Sequence, residues 1–253
     1  MSVQEVVKTK RSSVMTQEDD IVDFHFKYTR AKDKLFLWAK DRFDLSQKAV
    51  CDIGSGYGHY LVHFGPGSYG LDISKTHIEF AEKLGVKVYQ KDFMEDDLSD
   101  LPKADFVWTS ATIEHLDSAH IFLRRIYNIL NDNGVLLLES PVRPVSAFYR
   151  HIPGLKSLYN EHGDHVNFFT PDIFDWHFKR TGFKLEESFR WSVPLTNKLR
   201  LRNPTLTRHF PLNLFGDAYF AVCRKDPDWE YPARSIRKKA ENLKGYVYKE
   251  GTL

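Results

Sequence analysis

Residues 48–60 read KAVCDIGSGYGHY, and this stretch decides the fold. Its apolar first half predicts a short buried β-strand, and Gly54, Gly56 and Gly58 follow at alternating positions. Glycines after a strand let the backbone turn sharply and approach a ligand closely, and the first N–H groups of a following helix are free to bind that ligand. The stretch therefore predicts a strand, a ligand-binding turn and a helix that begins at residues 59–64, HYLVHF.

Strand and helix patterns alternate on the carboxyl-terminal side of this stretch. Four apolar segments predict strands, SYGLDI, VKVYQKD, ADFVWTS and GVLLLESP, and two amphipathic segments predict helices, THIEFAEKLG and residues 117–131. Such alternation over residues 46–140 indicates a parallel sheet with helices on both faces. Two later segments, KLEESFRW and DAYFAVCRK, complete the set. We predict a Rossmann-like α/β fold, a doubly wound, mostly parallel seven-stranded sheet with an insertion or cap between strands 5 and 7.

The composition is that of an ordinary globular protein, with 42% hydrophobic and 28% charged residues. No apolar run approaches the ~20 residues of a membrane-spanning helix, and the first twenty residues lack the apolar core of a signal peptide. Cys51 and Cys223 each lie in an apolar, strand-like run, which predicts buried, reduced thiols. We therefore expect a cytoplasmic protein without a membrane span.

Acidic residues stand at the ends of successive predicted strands. Asp52 ends the first strand, Asp72 ends the second, and Asp92, followed by Phe93, ends the third. The carboxyl ends of parallel strands open onto one crevice, where such folds bind their ligands. Asp72 is suited to both hydroxyls of a ribose, and Asp92 with Phe93 to the amino group and ring of an adenine. The spacing predicts a site for an adenine nucleoside.

These motifs together resemble the class I S-adenosylmethionine-dependent methyltransferases, in particular the small-molecule group of the UbiG-like type. The family's D-x-G-x-G-x-G motif is held by Asp52, Gly54, Gly56 and Gly58, and its EH pair after the fourth strand is Glu114-His115. The segment HVNFFTPDIFDWHFKRTGF also resembles the family's sequence ahead of the sixth strand. The resemblance covers residues 46–190, so the main domain, residues 46–225, is expected to be a methyltransferase domain with cap insertions at residues 141–170 and 193–215.

The resemblance implies S-adenosylmethionine as the cofactor and S-adenosylhomocysteine as the product. Ser110 and Ala111 are expected on the methionine side, and a carboxylate at Asp52 suits the ammonium of that moiety. Residues 1–45 are expected to form a helical lid segment, in which an aromatic ring would lie over the sulfonium, and residues 226–253 a charged tail. The predicted cofactor-binding residues are Tyr28, Arg30, Asp52, Gly54, Ser55, Gly56, Gly58, Asp72, Ile73, Asp92, Phe93, Ser110 and Ala111.

The charge distribution bears on the molecule that receives the methyl group. The chain has a net charge of +2, but residues 141–211 contain eleven Lys or Arg against six acids. This excess predicts a small anionic acceptor, such as a phosphorylated or nucleotide-linked sugar, bound by His162, Arg200 and Arg202; a solvated basic loop is the open alternative. A nucleic-acid partner is not expected, because the overall charge is low and no stacking motif is present. The oligomeric state is not predicted.

Histidines supply the candidate general bases for an acceptor hydroxyl. We expect His165 to be the base, with His115 as the second candidate, because a neighbouring carboxylate such as Asp164 can orient an imidazole and raise its pKa. The cluster of Glu161, His162, Asp164 and His165 can also be interpreted as a metal site. Short clusters of this kind in polar loops are mostly solvated, so no metal is assigned.

Three other functions stay open at this point. An N- or C-methyltransferase would share every cofactor motif. A nicotinamide-dependent oxidoreductase is disfavoured because its fingerprint is G-x-G-x-x-G, whereas this loop is GSGYGH and follows an acid that would repel pyrophosphate. A catalytically inactive S-adenosylmethionine-binding module would keep cofactor affinity and lack methyl transfer, which is the measurement that separates it from the enzyme.

Overall fold

The computed structural model describes residues 32–143, 151, 164–195 and 199–230. Its centre is a seven-stranded sheet in the order β3-β2-β1-β4-β5-β9-β6. The strands are β1 (Val50–Ile53), β2 (Tyr69–Asp72), β3 (Val88–Gln90), β4 (Ala104–Ser110), β5 (Leu130–Pro141), β6 (Phe183–Trp191) and β9 (Ala218–Lys225); β7 (Val193–Pro194) and β8 (Arg200–Leu201) form a separate hairpin. Strands β1 to β5 pair in parallel, and β9 runs antiparallel between β5 and β6. The predicted Rossmann-like, mostly parallel sheet is confirmed.

Five α-helices are present in the described residues, and four of them are two turns long or more. They are α1 (Asp33–Phe43), α2 (Lys75–Lys83), α3 (Ala119–Ile129), α4 (Pro171–Thr181) and the short α5 (Pro204–Thr207). The sheet has an apolar cluster on each face. Leu136 and Leu138 of β5 join the cluster that contains helices α3 and α4, whereas Val135 and Leu137 join the cluster that contains α1. Alternate residues of a strand point to opposite faces, which explains the unbroken apolar run of β5.

Helix α4 is bounded by residue types that favour helix ends. The Thr170 hydroxyl accepts a hydrogen bond from the backbone N–H of Ile173, Pro171 is the first helical residue, and Gly182 ends the helix in the left-handed conformation at φ 93°. Thr170→Ala is expected to lower the free energy of unfolding by about 1 kcal/mol, because one N–H of the first turn loses its partner. Urea denaturation of the two proteins measures this difference, and an unchanged midpoint would contradict the capping role.

The prediction that HYLVHF begins a helix is wrong. Residues 56–60 form turns, and only Leu61–His63 adopt a helical conformation, a single 3₁₀ turn. Gly65, Pro66 and Gly67 follow at once, and Gly67 has a φ of 82°. A segment this short, with two glycines and a proline at its end, cannot make enough i to i−4 hydrogen bonds to offset the cost of starting a helix.

The buried thiols predicted from the sequence agree with the described structure. Cys51 and Cys223 are both free and buried, and burial raises the pKa of each thiol. Among the described residues, none of the helices has the length and apolar character needed to cross a bilayer.

Candidate active site

The glycine loop after β1 has a backbone that side chains would disturb. Gly54, Gly56 and Gly58 have φ values of 73°, 53° and 77°, in the left-handed region that favours glycine. A Cβ on Gly54 would lie 2.7 Å from the Thr112 hydroxyl. The loop is held by hydrogen bonds from the N–H groups of Gly54 and Ser55 to the carbonyl of Leu71. It therefore lies directly over the carboxyl ends of β1 and β2.

Asp72, at the end of β2, anchors this loop. One carboxylate oxygen accepts a hydrogen bond from the Gly56 N–H at 2.8 Å, and the other accepts from the Ser74 N–H at 2.8 Å and lies 3.1 Å from Nδ1 of His77. Burial by itself would raise the pKa of Asp72, but the contacts with His77, Ser74 and Gly56 hold it below the usual value. The carboxylate is therefore charged at neutral pH.

Asp52 is a buried acid with an unsatisfied oxygen. Its side chain is in β1, and Oδ2 has no hydrogen-bond partner among the described residues. Burial, together with the nearby charge of Asp72, raises the pKa of Asp52 to about 8. An ammonium group that reached Oδ2 would stabilise the charged carboxylate and satisfy the orphaned oxygen.

One cavity of about 700 Å³ is lined by residues predicted to bind the cofactor and by residues predicted to bind or activate the acceptor. Its walls include nine of the predicted residues, Asp52, Gly54, Ser55, Ser110, Ala111, His115, His165, Arg200 and Arg202. Ala111 has a φ of 54°, which is uncommon for a residue with a side chain, and its N–H donates to the carbonyl of Glu139. Such strained positions occur where a backbone is shaped around a ligand.

The remaining predicted residues either do not line this cavity or lie outside the described residues. Ile73 is 69% exposed next to Asp72. The exposed Asp92 accepts a hydrogen bond from the Met94 N–H, and Phe93 is buried with its ring against Phe122. Neither Asp92 nor Phe93 lines the cavity, so their adenine-binding roles stay predictions. Tyr28, Arg30, Glu161 and His162 lie outside the described residues.

Two buried ionic contacts extend from α1 into the cavity. Lys32 Nζ lies 2.6 Å from Oε2 of Glu139, and the Ser110 hydroxyl donates to the same oxygen at 2.7 Å. At the next residue, Asp33, a carboxylate oxygen lies 3.0 Å from Nε2 of His59, with both side chains largely buried. Residues 32 and 33 of the predicted lid segment are thus held by ionic contacts to β5 and to the turn after β1.

Glu114, His115 and His165 form a compact group, which we name the acid–histidine cluster. Glu114 and His115 belong to a 3₁₀ turn after β4, and the N–H groups of Val166 and Asn167 both donate to the Glu114 carbonyl at 2.9 Å. The His115 and His165 rings meet edge to face with centroids 4.9 Å apart. Burial raises the pKa of the Glu114 carboxyl to about 7, and the opposing charge of Lys32 limits the increase. Both predicted catalytic histidines are therefore neighbours in space.

Arginines line another part of the same cavity. Arg200 donates from Nε to Oδ2 of Asp217 at 2.8 Å, and the Asp217 carbonyl accepts from the N–H of Val142, next to Arg143. The Arg143 guanidinium lies 4.3 Å from the centre of the Phe168 ring. Arg202 lines the cavity as well, so its wall contains three guanidinium groups. We name Arg143, Arg200 and Arg202 the arginine group.

Sequence analysis did not assign four residues that the structure places at the cavity: Lys32, Arg143, Glu139 and Asp217. Glu139 carries a detectable signal, because a charged residue inside the apolar run GVLLLESP needs a partner when that strand is buried. Arg143 belongs to the excess of cations in residues 141–211 but was not singled out, and Lys32 and Asp217 lie in no motif.

The described residues fit S-adenosylmethionine. The glycine loop presents backbone without side chains, Asp72 is a charged acceptor for ribose hydroxyls, and Asp52 offers an unsatisfied oxygen for an ammonium group. When bound, the cofactor supplies a methyl group on a positively charged sulfur.

Comparisons with known proteins agree with this geometry. A methyltransferase domain family matches residues 25–188. A ubiquinone biosynthesis O-methyltransferase of Azorhizobium caulinodans is 27% identical over 150 residues, a match that spans 54% of this chain and 59% of that protein. The fold is shared with an S-adenosylmethionine-dependent methyltransferase from Thermotoga maritima, with a TM-score of 0.60, 18% identity, and coverage of 88% of this chain and 100% of the other. A second such enzyme, from Archaeoglobus fulgidus, has a TM-score of 0.57, 22% identity, and coverage of 80% and 100%.

The family match covers more than half of the chain and includes the glycine loop, Asp72 and the Glu114-His115 pair. The cofactor motifs require neighbouring parallel strands and a glycine loop over the ends of β1 and β2. The structure has both features. The chain therefore belongs to the methyltransferase domain family, which confirms the predicted class of S-adenosylmethionine-dependent methyltransferases.

Proposed function

We propose that this chain transfers the methyl group of S-adenosylmethionine to a hydroxyl oxygen of a small anionic acceptor. The observation that carries the proposal is the single cavity, which joins Asp52 and the glycine loop to the acid–histidine cluster and the arginine group. A cofactor bound at the loop and an acceptor bound by the arginines would share one cavity. The 27% identical relative is named as an O-methyltransferase, which supports oxygen as the acceptor atom.

The reaction breaks the bond between the methyl carbon and sulfur, whose electron pair stays on sulfur, and forms a bond between that carbon and the acceptor oxygen. The hydroxyl proton has to leave, and the acid–histidine cluster is where the chain can promote its loss. Most of the acceleration is expected from alignment of acceptor, methyl group and sulfur, since well-oriented groups reach effective molarities of about 10⁵ M or more. Help in removing the proton adds about 10²–10⁴-fold.

The acceptor class follows from the arginine group. Arg143, Arg200 and Arg202 all line the cavity, and guanidinium groups bind a phosphate or carboxylate through charge-assisted hydrogen bonds. A phosphorylated or nucleotide-linked sugar has both that anionic group and free hydroxyls. The test is incubation with methyl-labelled S-adenosylmethionine and a panel of such sugars, each paired with its neutral parent. Label on an oxygen of an anionic sugar supports the proposal, whereas label on nitrogen or carbon, or on neutral sugars alone, contradicts it.

Removing Arg200 and Arg202 together is expected to raise the KM for an anionic acceptor about tenfold or more, because charge-assisted hydrogen bonds contribute ~1.5–3 kcal/mol each. Affinity for S-adenosylhomocysteine should not change, since neither side chain belongs to the glycine loop. Steady-state kinetics and calorimetric titration measure the two quantities. Lys179→Ala is the matched control, because this exposed cation on α4 pairs with Asp175 away from the cavity. An unaltered KM in the double variant would remove the arginines from the acceptor site.

A further inference from the structure

The acid–histidine cluster has the composition and spacing of a metal site. Glu114, His115 and His165 each place one ligand atom within 4.8 Å of the others. In a tetrahedral zinc site, ligand atoms about 2.1 Å from the ion lie about 3.4 Å from each other. Shifts of about 1 Å in these side chains would therefore bring the ligand atoms to the spacing of such a site.

Glu114 gives the second observation. Its side chain is 1% exposed, and Oε2 accepts a hydrogen bond from the Ser140 hydroxyl at 3.2 Å, whereas Oε1 has no hydrogen-bond partner among the described residues. Oε1 is the oxygen that faces Nε2 of His115, at 3.9 Å. A buried carboxylate oxygen without a donor is costly, and a cation between it and the imidazoles would remove that cost.

The hydrogen bonding of His115 leaves its Nε2 atom available to bind a metal ion. Its Nδ1 lies 2.9 Å from the backbone carbonyl of Asp164. A carbonyl only accepts, so Nδ1 carries the hydrogen and the lone pair is on Nε2, on the side of Glu114. Metal-bound histidines commonly donate their second N–H to a carbonyl or carboxylate in this manner.

We propose that Glu114, His115 and His165 bind one divalent transition-metal ion of the zinc type at the wall of the cavity. Two imidazoles and one carboxylate are the ligands of catalytic zinc sites that keep a further position open. Imidazoles disfavour magnesium and calcium, which prefer oxygen ligands. All three side chains line the cavity, so the open position faces the acceptor.

The role of the ion rests on the proposed function, whereas its binding does not. An acceptor hydroxyl in the open position would lose its proton to water more readily, because a bound divalent ion lowers the pKa of an oxygen ligand. The resulting oxyanion would be held in line with the methyl group. In this arrangement His165 acts as a ligand, which differs from its predicted role as a general base.

The binding test uses the full chain after treatment with a chelator and dialysis. Zn²⁺ is titrated by calorimetry, and Co²⁺ by its visible absorption, which reports the coordinating atoms. We expect one ion per chain, and we expect Glu114→Gln, His115→Ala and His165→Ala each to weaken binding at least about tenfold, since even outer-shell partners of metal sites contribute that much. His209→Ala is the control for adventitious binding, because His209 is exposed and outside the cavity.

Thermal unfolding shows whether each variant is folded and whether it binds the ion. Zn²⁺ should raise the Tm of the unaltered chain and of His209→Ala, and should leave the Tm of the three ligand variants unchanged. Absence of Zn²⁺ and Co²⁺ binding to the unaltered chain, or equal binding by the ligand variants, overturns the metal site. Methyl transfer that continues in chelated protein overturns the role of the ion and leaves the proposed function standing. Binding without methyl transfer to any acceptor has the opposite meaning: the metal site is supported and the proposed function fails.

Discussion

His165→Ala is expected to lower kcat for methyl transfer by about 10²-fold or more, with little change in the affinity for S-adenosylhomocysteine. His165 lines the cavity in contact with His115, and it is not part of the glycine loop. The loss follows from either role of the imidazole, proton acceptor or metal ligand, because both act on the acceptor hydroxyl in the transition state. Such an interaction lowers kcat and kcat/KM together.

The measurement is single-turnover transfer of labelled methyl at saturating cofactor, with calorimetric titration of the product nucleoside. His209→Ala again serves as the matched control and should transfer methyl at the normal rate. His115→Ala should change both quantities, because His115 follows closely after Ala111, a predicted cofactor-binding residue that lines the cavity. A near-normal kcat in the His165→Ala protein would mean that the acceptor is activated elsewhere.

Asp72→Ala is expected to weaken the binding of S-adenosylmethionine by several-fold to a hundredfold. A charge-assisted pair with the ribose contributes ~1.5–3 kcal/mol. The structure adds a second reason, since the same carboxylate accepts a hydrogen bond from the Gly56 N–H and so orders the loop. Asp72→Asn should fall between the two proteins, because an amide oxygen can still accept from Gly56 but has no charge.

Calorimetric titration with S-adenosylmethionine and S-adenosylhomocysteine measures this effect. Glu79→Ala is a suitable control, since Glu79 is an exposed acid on the neighbouring helix α2 that pairs only loosely with Lys75. Unchanged affinity in Asp72→Ala would refute the ribose assignment. NADH binding tighter than that of S-adenosylhomocysteine in the unaltered chain would refute the proposed cofactor.

Local pattern was sufficient for the sheet and for the cofactor loop. Apolar runs such as GVLLLESP and the glycines after β1 act over a few residues, so their meaning can be interpreted without knowledge of the rest of the chain. The caps of α4 at Thr170 and Gly182 are of the same kind, because each is a contact between near neighbours. The helix predicted after the glycine loop failed for a local reason as well, since Gly65-Pro66-Gly67 outweighed the apolar pattern before it.

The acceptor side of the site was predicted only in part. His115 and His165 were both candidates, but nothing in the sequence indicates that their rings touch, because fifty residues separate them. The pairs Lys32–Glu139 and Arg200–Asp217 are likewise formed by residues 107 and 17 positions apart. Sequence grouped His165 with Glu161, His162 and Asp164, whereas the structure groups it with Glu114 and His115.

The sequence by itself determined the fold class, the cofactor loop and the family, because these depend on periodicity and on spacing between consecutive strands. Only the tertiary structure decided which acids and histidines face one another, and that Glu114 is buried with an oxygen directed at His115. The physical reason is that carboxyl ends of β1, β4 and β5 converge on one cavity, to which the segment after residue 164 is joined by hydrogen bonds to the Glu114 carbonyl. Convergence of distant segments depends on packing, which periodicity does not encode.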